Sequence, residues 1–390
     1  MGRYLRQFAA TFRKGDMVLL LICLLTTAFG CLIIASATNT SDSLRYVMTQ
    51  LVATAIGVLL YAIISTIDAE TYSEHRTLLV LFNVFLLALL IPFGTDNGSG
   101  NKSWLDLPII PFYIQPAEIC KIAYILIMAS VMNAHHNRIS AMPSVFHMAY
   151  HLALLVGMNL VLSGDAGVSL IFVFIFIGMA FAGGVSLIWF LLGIGGIAAV
   201  FPLLWNYFLD DYQKLRIQVL FDPELDPLGT NARYHTMRSL RSLTGGGMTG
   251  QGLFNGTRTQ TPGALFAQHT DYIFSVIGEE LGYVGCFIAI LLLICIIARC
   301  IWVGNRSGDY MRRLICYGAA SALIFQVISN VGMCIGVTPV IGLTLPFISY
   351  GGSSIVSLYA MLGLVSGVYA RPAAASHERY IRAPLHTYRY

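Results

Sequence analysis

The sequence predicts an all-α polytopic membrane protein with ten transmembrane helices, both termini cytoplasmic, and one long extracytoplasmic loop between the seventh and eighth spans. Three observations predict it. Only 11% of the 390 residues are charged while 57% are hydrophobic, against about 25% charged in soluble domains. Apolar runs of about 20 residues, the length needed to cross a bilayer, recur from end to end. The basic residues alternate with those runs so as to assign sides. The net charge of +4 is small, and no nucleic-acid partner is expected.

The expected spans are residues 17–37, 45–67, 77–94, 113–134, 145–163, 165–184, 186–208, 272–298, 312–337 and 343–370. The first has no small-residue cleavage site after it and reads as an uncleaved span rather than a removed signal peptide. The fifth, sixth and seventh are joined by very short connections, Ser163-Gly164-Asp165 and Gly183-Gly184. With the N-terminus inside, 14 of the 23 Lys and Arg residues are cytoplasmic: Arg3, Arg6, Arg13, Lys14, Arg76, Arg138, Arg299, Arg306, Arg312, Arg313, Arg371, Arg379, Arg382 and Arg389. Lys121 falls within a span, six of the other eight lie in the loop 209–271, and only Arg45 and Lys102 occupy short outer loops. Long loops translocate largely regardless of charge, so this pattern obeys the positive-inside rule.

Residues 1–370 thus read as a single integral membrane domain, and 371–390 as a short, basic, disordered cytoplasmic tail. The eight cysteines lie in or beside apolar segments without a CxxC pair and read as small buried hydrophobes. No internal repeat is evident, which disfavours an inverted-repeat transporter. The long loop carries charged segments and then TGGGMTGQGLFNGTRTQ. Those glycines read first as flexible linker, with close backbone approach to a ligand as the alternative.

Ionisable groups within spans are costly and face a bundle interior or a wet cavity. Glu118 and Lys121, three apart on one helix face, form either a packing ion pair or the wall of a cavity open to the outside. Asp165, in a tight outer turn, reads as the N-cap of the sixth span, and Asp271 as that of the eighth. Glu279 and Glu280 lie about two turns deeper than Asp271. At most one of them faces a given cavity, and the other must pair with a neighbouring span or be protonated. Gln326 and Asn330, four apart, can hydrogen-bond across helices. The Pro- and Gly-interrupted start of the tenth span, residues 346–354, leaves backbone groups that protein or a cavity must satisfy.

At these residues the chain resembles the SEDS proteins (shape, elongation, division and sporulation), typified by RodA and FtsW. The resemblance rests on GLTLPFISYGGSS at 342–354, HTDYIFSVIGEELG at 269–282, SNVGMCIG at 329–336, QPAEICK at 115–121 and SWLDL at 103–107. It implies a ten-span peptidoglycan glycosyltransferase of the bacterial inner membrane that polymerises lipid II at the outer face. A class B penicillin-binding protein would be its partner, and Asp271 would correspond to the family's essential aspartate.

The chemistry can be argued beside that resemblance. A sugar hydroxyl attacks an anomeric carbon bearing a lipid pyrophosphate, so one general base suffices and inverts the centre. The leaving group needs positive charge rather than a second acid. Lys121, Arg233, Arg238, Arg241 and a divalent cation (Mg or Mn) are the candidates, and Asp271 serves as base or as metal ligand. The expected site is Asp271 as catalytic residue, with Trp104, Glu118, Lys121, Asp165, Arg238, Glu280, Ser349 and Tyr350 binding substrate.

Some positions depart from the family pattern: Lys102-Ser103 before Trp104, the segment Tyr234–Ser239, Gly164-Asp165-Ala166-Gly167, and Ala267-Gln268. The motifs do not separate the elongation, division and sporulation branches. A precursor flippase using Glu118, Lys121, Asp165 and Glu280 as a proton relay is one alternative, and a non-catalytic scaffold for the penicillin-binding protein is another. A relay should spread acids toward both faces, whereas these gather at the outer side.

Overall fold

The structure, a computed structural model, describes residues 14–39, 42–96, 101–106, 113–207 and 209–371. The expected tail beyond Arg371, and Arg3, Arg6 and Arg13, lie outside the described residues. In chain order the main elements are helices α1 (Met17–Ala37), α2 (Ser43–Thr66) and α3 (Arg76–Ala88). The short strands β1 (Gly94–Thr95) and β2 (Trp104–Leu105) come next. They are followed by α4 (Pro116–Ala134), α5 (Met142–Ser163), α6 (Ala166–Ala182) and α7 (Leu187–Tyr207). Helices α8 (Asp211–Phe221) and α9 (Tyr234–Gly245) lie in the long loop. The chain ends with α10 (Ile273–Arg306), α11 (Tyr310–Ile335) and α12 (Gly352–Ala370).

Among the described residues nine helices are long and apolar enough to cross a membrane, the third running from Arg76 to Phe93; α6 is a shorter apolar helix. Local chemistry sets their ends. Asp16 and Asp309 accept from the amides of Leu19 and Arg312 to cap α1 and α11, and Pro116 opens α4 where no intrahelical donor is needed. Gly164 and Gly336, both left-handed, close α5 and α11.

Two boundaries differ from expectation. Helix α12 starts at Gly352 rather than at 343, because Pro346 lacks a donor and the preceding amides turn to side chains instead. Leu345 N donates to Ser349 Oγ and Gly351 N to Gln50 Oε1. Helix α10 runs on to Arg306 but is broken at Gly282 (φ 67°, ψ −164°) into a short stub and a long rod.

Helices α4 and α12 form the centre, each with 78% of its most apolar window buried, while α7 buries none of its window and leans on the bundle only at its start. Lipid is as apolar as leucine, so helix association rests on close packing and hydrogen bonds. Helix α12 meets α2 where Gly57 abuts the Tyr359 ring and Gly363 abuts the Tyr61 backbone. Four helices meet at Asp16, which is 1% exposed. Arg299 of α10 grips its carboxylate through Nε and Nη2 at 2.8 and 3.0 Å. Tyr61 of α2 donates to its carbonyl, and its amide donates to Ser366 of α12. A separate apolar cluster, including Ile34, Leu243, Tyr272, Ile277, Met333 and Ile348, seats the long loop on the stub of α10.

Candidate active site

Asp271 is the penultimate residue before α10, and the sequence around it is held by its backbone. The carbonyl of His269 accepts from Tyr350 N at 2.9 Å and that of Thr270 from Ser349 Oγ at 2.6 Å. The carbonyl of Asp271 accepts from Asn330 Nδ2 at 2.8 Å, and the same amide group reaches Leu343 O at 2.7 Å. Cys334 Sγ lies 3.8 Å from the Asp271 carbonyl. The three segments singled out as signatures, 269–282, 329–336 and 342–354, thus meet at this turn.

The Asp271 side chain is left to other work. The N-cap of α10 is Tyr272, with no side-chain cap bond, so the expected capping role of Asp271 is not realised; its carbonyl is tied down instead. The residue is half-buried. Gly342, at φ +77°, faces the carboxylate: a Cβ there would lie 3.5 Å from Oδ2. Burial pushes the carboxyl up to about 6; the Thr270 hydroxyl opposes this and the nearby Asp165 adds to it.

Asp165 does cap α6, accepting from Val168 N at 3.0 Å, while its other oxygen faces Gln115 Nε2 at 3.4 Å. Burial raises its carboxyl, the amides of Val168 and Gly167 oppose the shift, and Glu118 adds to it. Glu118 pairs with Lys121 at 2.8 Å and accepts from Ser357 Oγ of α12 at 2.7 Å. Both members are buried, at 4% and 1% exposure, so the pair stands sealed in the bundle.

Glu279 and Glu280 have a different task. Glu279 accepts from the amides of Arg258 and Thr259 and from Thr259 Oγ1, at 2.8, 3.0 and 2.8 Å. Glu280 accepts from Ser36 Oγ, Phe254 N, Gly256 N and Gln260 Nε2. Glu280 is completely buried, so its expected contact with substrate gives way to a structural one. Both acids end in the loop because residues 254–260 wrap the stub and meet two adjacent side chains at once.

The Gly-rich run is accordingly no linker. The break at Gly282 frees backbone groups that the loop takes up: Gln251 N and Gly252 N donate to Glu279 O and Glu280 O, while Tyr283 N and Val284 N donate to Gly247 O and Met248 O. A Cβ at Gly246 would sit 1.9 Å from Gly278 O, and one at Gly250 2.1 Å from Glu280 O. Glycine is required there for backbone-to-backbone approach.

The remaining expected residues divide. Ser349 and Tyr350 sit at the Asp271 turn, but Ser349 Oγ is occupied by Thr270 O and Leu345 N. The Tyr350 ring packs with Tyr46 and His269, at centroid distances of 5.1 and 5.6 Å. Arg238 stacks on Tyr234 at 4.3 Å and donates to the carbonyls of Gly263 and Ala264, which shapes the loop. Arg233 donates to Pro223 O and Asp226 O, and Arg241 is exposed. Trp104 is held in the β1–β2 ladder opposite Thr95, and nearby Asn101 comes alongside Gly164, beside Asp165.

Sequence reasoning missed three residues. Gln50 braces both Ser349 O and Gly351 N, and Tyr46 completes the aromatic group. Arg216 donates to Val340 O at 3.3 Å, bringing a guanidinium to the turn that leads into Gly342. Nothing local in the sequence marks any of them. Among the described residues no three His, Cys, Asp or Glu side chains gather closely enough to hold a metal ion.

Residues 16–372 match the family of FtsW, RodA and SpoVE, described as "Cell cycle protein". The peptidoglycan glycosyltransferase MrdB of Escherichia coli (strain K12) is 34% identical over 358 residues, 91% of this chain and 93% of that protein. A chain from a peptidoglycan synthase complex, described as coordinating polymerization and crosslinking, superposes with a TM-score of 0.77 at 28% identity, covering 91% of this chain and 97% of the other. The rod shape determining protein RodA of Thermus thermophilus gives 0.68 at 25% identity, covering 93% and 98%.

Proposed function

The chain belongs to the family of FtsW, RodA and SpoVE, and from that premise we infer how its site works as a membrane-embedded peptidoglycan glycosyltransferase. The protein is a multi-pass protein of the bacterial inner membrane. In this reading α6 crosses with the nine longer helices to make ten spans, both termini are cytoplasmic, and residues 209–271 stand outside. The distribution of Lys and Arg supports that orientation.

Asp271 acts on the outer face as the general base. Lipid II supplies both sugars: the hydroxyl of the acceptor loses its proton to Asp271 as its oxygen attacks the anomeric carbon of the donor. The C–O bond to the lipid pyrophosphate breaks with inversion, and the pyrophosphate departs with the electron pair. A carboxyl lifted to about 6 suits this role, because a base works best with its pKa near the operating pH. Loop guanidiniums, Arg216 at the Val340 turn among them, offset the departing charge.

A divalent cation would fit as a guest brought by the pyrophosphate; Asp271 would then serve as its protein ligand instead of as base, since Mg2+ is commonly held by one or two carboxylates plus substrate phosphates. The partner is a class B penicillin-binding protein that crosslinks the strands. The likeness to a chain from a complex that couples polymerization with crosslinking supports this pairing.

The observation that carries this reading is the Asp271 carboxylate, half-buried beside a glycine while its turn is held by two other segments. Purified protein incubated with labelled lipid II, with and without Mg2+ or Mn2+ and with its partner, is expected to yield glycan strands. Asp271→Ala is expected to yield none while remaining folded. Full polymerisation by that variant would remove Asp271 from the chemistry.

A further inference from the structure

The bundle buries a second polar group that glycosyl transfer does not use. Asn83 of α3, Tyr124 of α4 and His151 of α5 line one partly open pocket of about 10 Å3, together with Val80, Ile127, Leu154 and Leu155. Asn83 and Tyr124 are fully buried and His151 is 8% exposed. Four of their polar atoms have no hydrogen-bond partner: Asn83 Nδ2 and Oδ1, Tyr124 Oη and His151 Nε2. Counted at 1.5 Å per residue, they lie about 10–15 Å from the helix ends at Arg76, Ala134 and Met142, well inside the apolar layer.

An unpaired polar atom in that setting costs on the order of 1–3 kcal/mol, and four on three facing helices are hard to account for as packing. The chemistry defines what fits. An amide group offers one donor type and one acceptor, while a phenol and a neutral imidazole nitrogen each act either way. One water molecule donates twice and accepts twice, and a cavity of about 10–15 Å3 admits one. A cation would meet the Asn83 amide N–H groups, and among the described residues no metal cluster exists. The route in is also polar: His147 rests against His151 at 5.2 Å between ring centroids. His147 Nδ1 lies 3.0 Å from His135 Nε2, and His135 Nδ1 lies 3.1 Å from Ser144 Oγ. His135 and His147 are both half-buried at the helix ends.

We propose that Asn83, Tyr124 and His151 form a water-binding site within the α3–α4–α5 interface, supplied from the Arg76 end of these helices past His147 and His135. The bound water cross-links three helices that otherwise meet there through apolar contacts.

Hydroxyl-radical footprinting by X-ray radiolysis of the full chain in lipid nanodiscs tests this, because radicals generated from bound water mark the side chains that hold it. Tyr124 and His151 are expected to be modified several-fold faster than Tyr61 and Tyr359, buried tyrosines whose hydroxyls already have protein partners. Equal rates for Tyr124 and Tyr359 would overturn the proposal. Tyr124→Phe supplies an independent sign: it lowers the thermal unfolding midpoint if the hydroxyl holds water. In a dry cavity the same change removes an unpaired group and raises the midpoint, which would also overturn the proposal.

Discussion

Gly282→Ala isolates the contribution of the helix break. The backbone at Gly282, φ 67° and ψ −164°, lies in a region essentially reserved for glycine, where another residue costs of order 1–3 kcal/mol. The new Cβ would also stand 2.5 Å from both Gly250 N and Met248 O, inside the contact that lets the loop dock. Relief requires the loop to lift, with loss of the four backbone hydrogen bonds that cross the break, each worth roughly 1 kcal/mol. The docked loop is therefore weakened by on the order of 5 kcal/mol, while the long rod of α10 keeps its partners. Gly247→Ala is the control: its φ is +55°, but a Cβ there meets nothing within 4 Å, so only the backbone strain of about 1–2 kcal/mol applies. Limited trypsinolysis at Arg241 and Arg258 reads the docking, and lipid II polymerisation reads its consequence. Gly282→Ala is expected to be cleaved rapidly and to lose most activity, with Gly247→Ala close to wild type. A Gly282→Ala protein as resistant and as active as Gly247→Ala would refute the argument that the break is built for the loop.

Three further outcomes follow from the site. The base works ionised, so polymerisation should rise with pH through about 6, where burial places Asp271, and fall about tenfold per unit below it; a profile flat from pH 5 to 8 would contradict this. The raised carboxyl favours the protonated fold, so its stabilisation is complete below the ordinary carboxylate range and is lost as pH climbs through about 6. Asp271→Asn should hence be at least as stable as wild type at pH 7.5 by thermal melting, yet slower in polymerisation by about 10²–10⁴. Lys121→Met strands Glu118 as a buried charge and should destabilise by about 3–5 kcal/mol. Lys121→Met with Glu118→Met should recover most of that in chemical denaturation, and a double variant no better than the single would show that the pair is not the source.

Much of the fold was legible because lipid imposes one rule, that an apolar run of sufficient length becomes a helix. The position of Asp271 at the start of an apolar helix was legible for a related reason: polar motifs at span ends stand out against an apolar background. What escaped was governed by backbone groups whose partners lie far off in sequence. The late start of α12 depends on Gly351 N finding Gln50, 301 residues earlier. The placement of Glu279 and Glu280 depends on amides 20 to 26 residues before them. Hydropathy weighs side chains one at a time and is blind to both. The Gly-rich run misled for the same cause, since glycine admits either freedom or close approach and only the break at Gly282 decides between them.

The junction at Asp16 imposes an order of events on biosynthesis. Asp16 opens the first described span, yet Arg299, which pairs with it, is 283 residues downstream, and Ser366, which receives its amide, is 350 residues downstream. At roughly 5–20 residues per second, the first span waits tens of seconds for its counter-charge and longer for its final neighbour. Until then its carboxylate must stay at the water boundary, so α1 is tethered near the surface while the intervening helices insert. The junction at Asp16 is thus completed only after the helices bearing Arg299 and Ser366 have followed it.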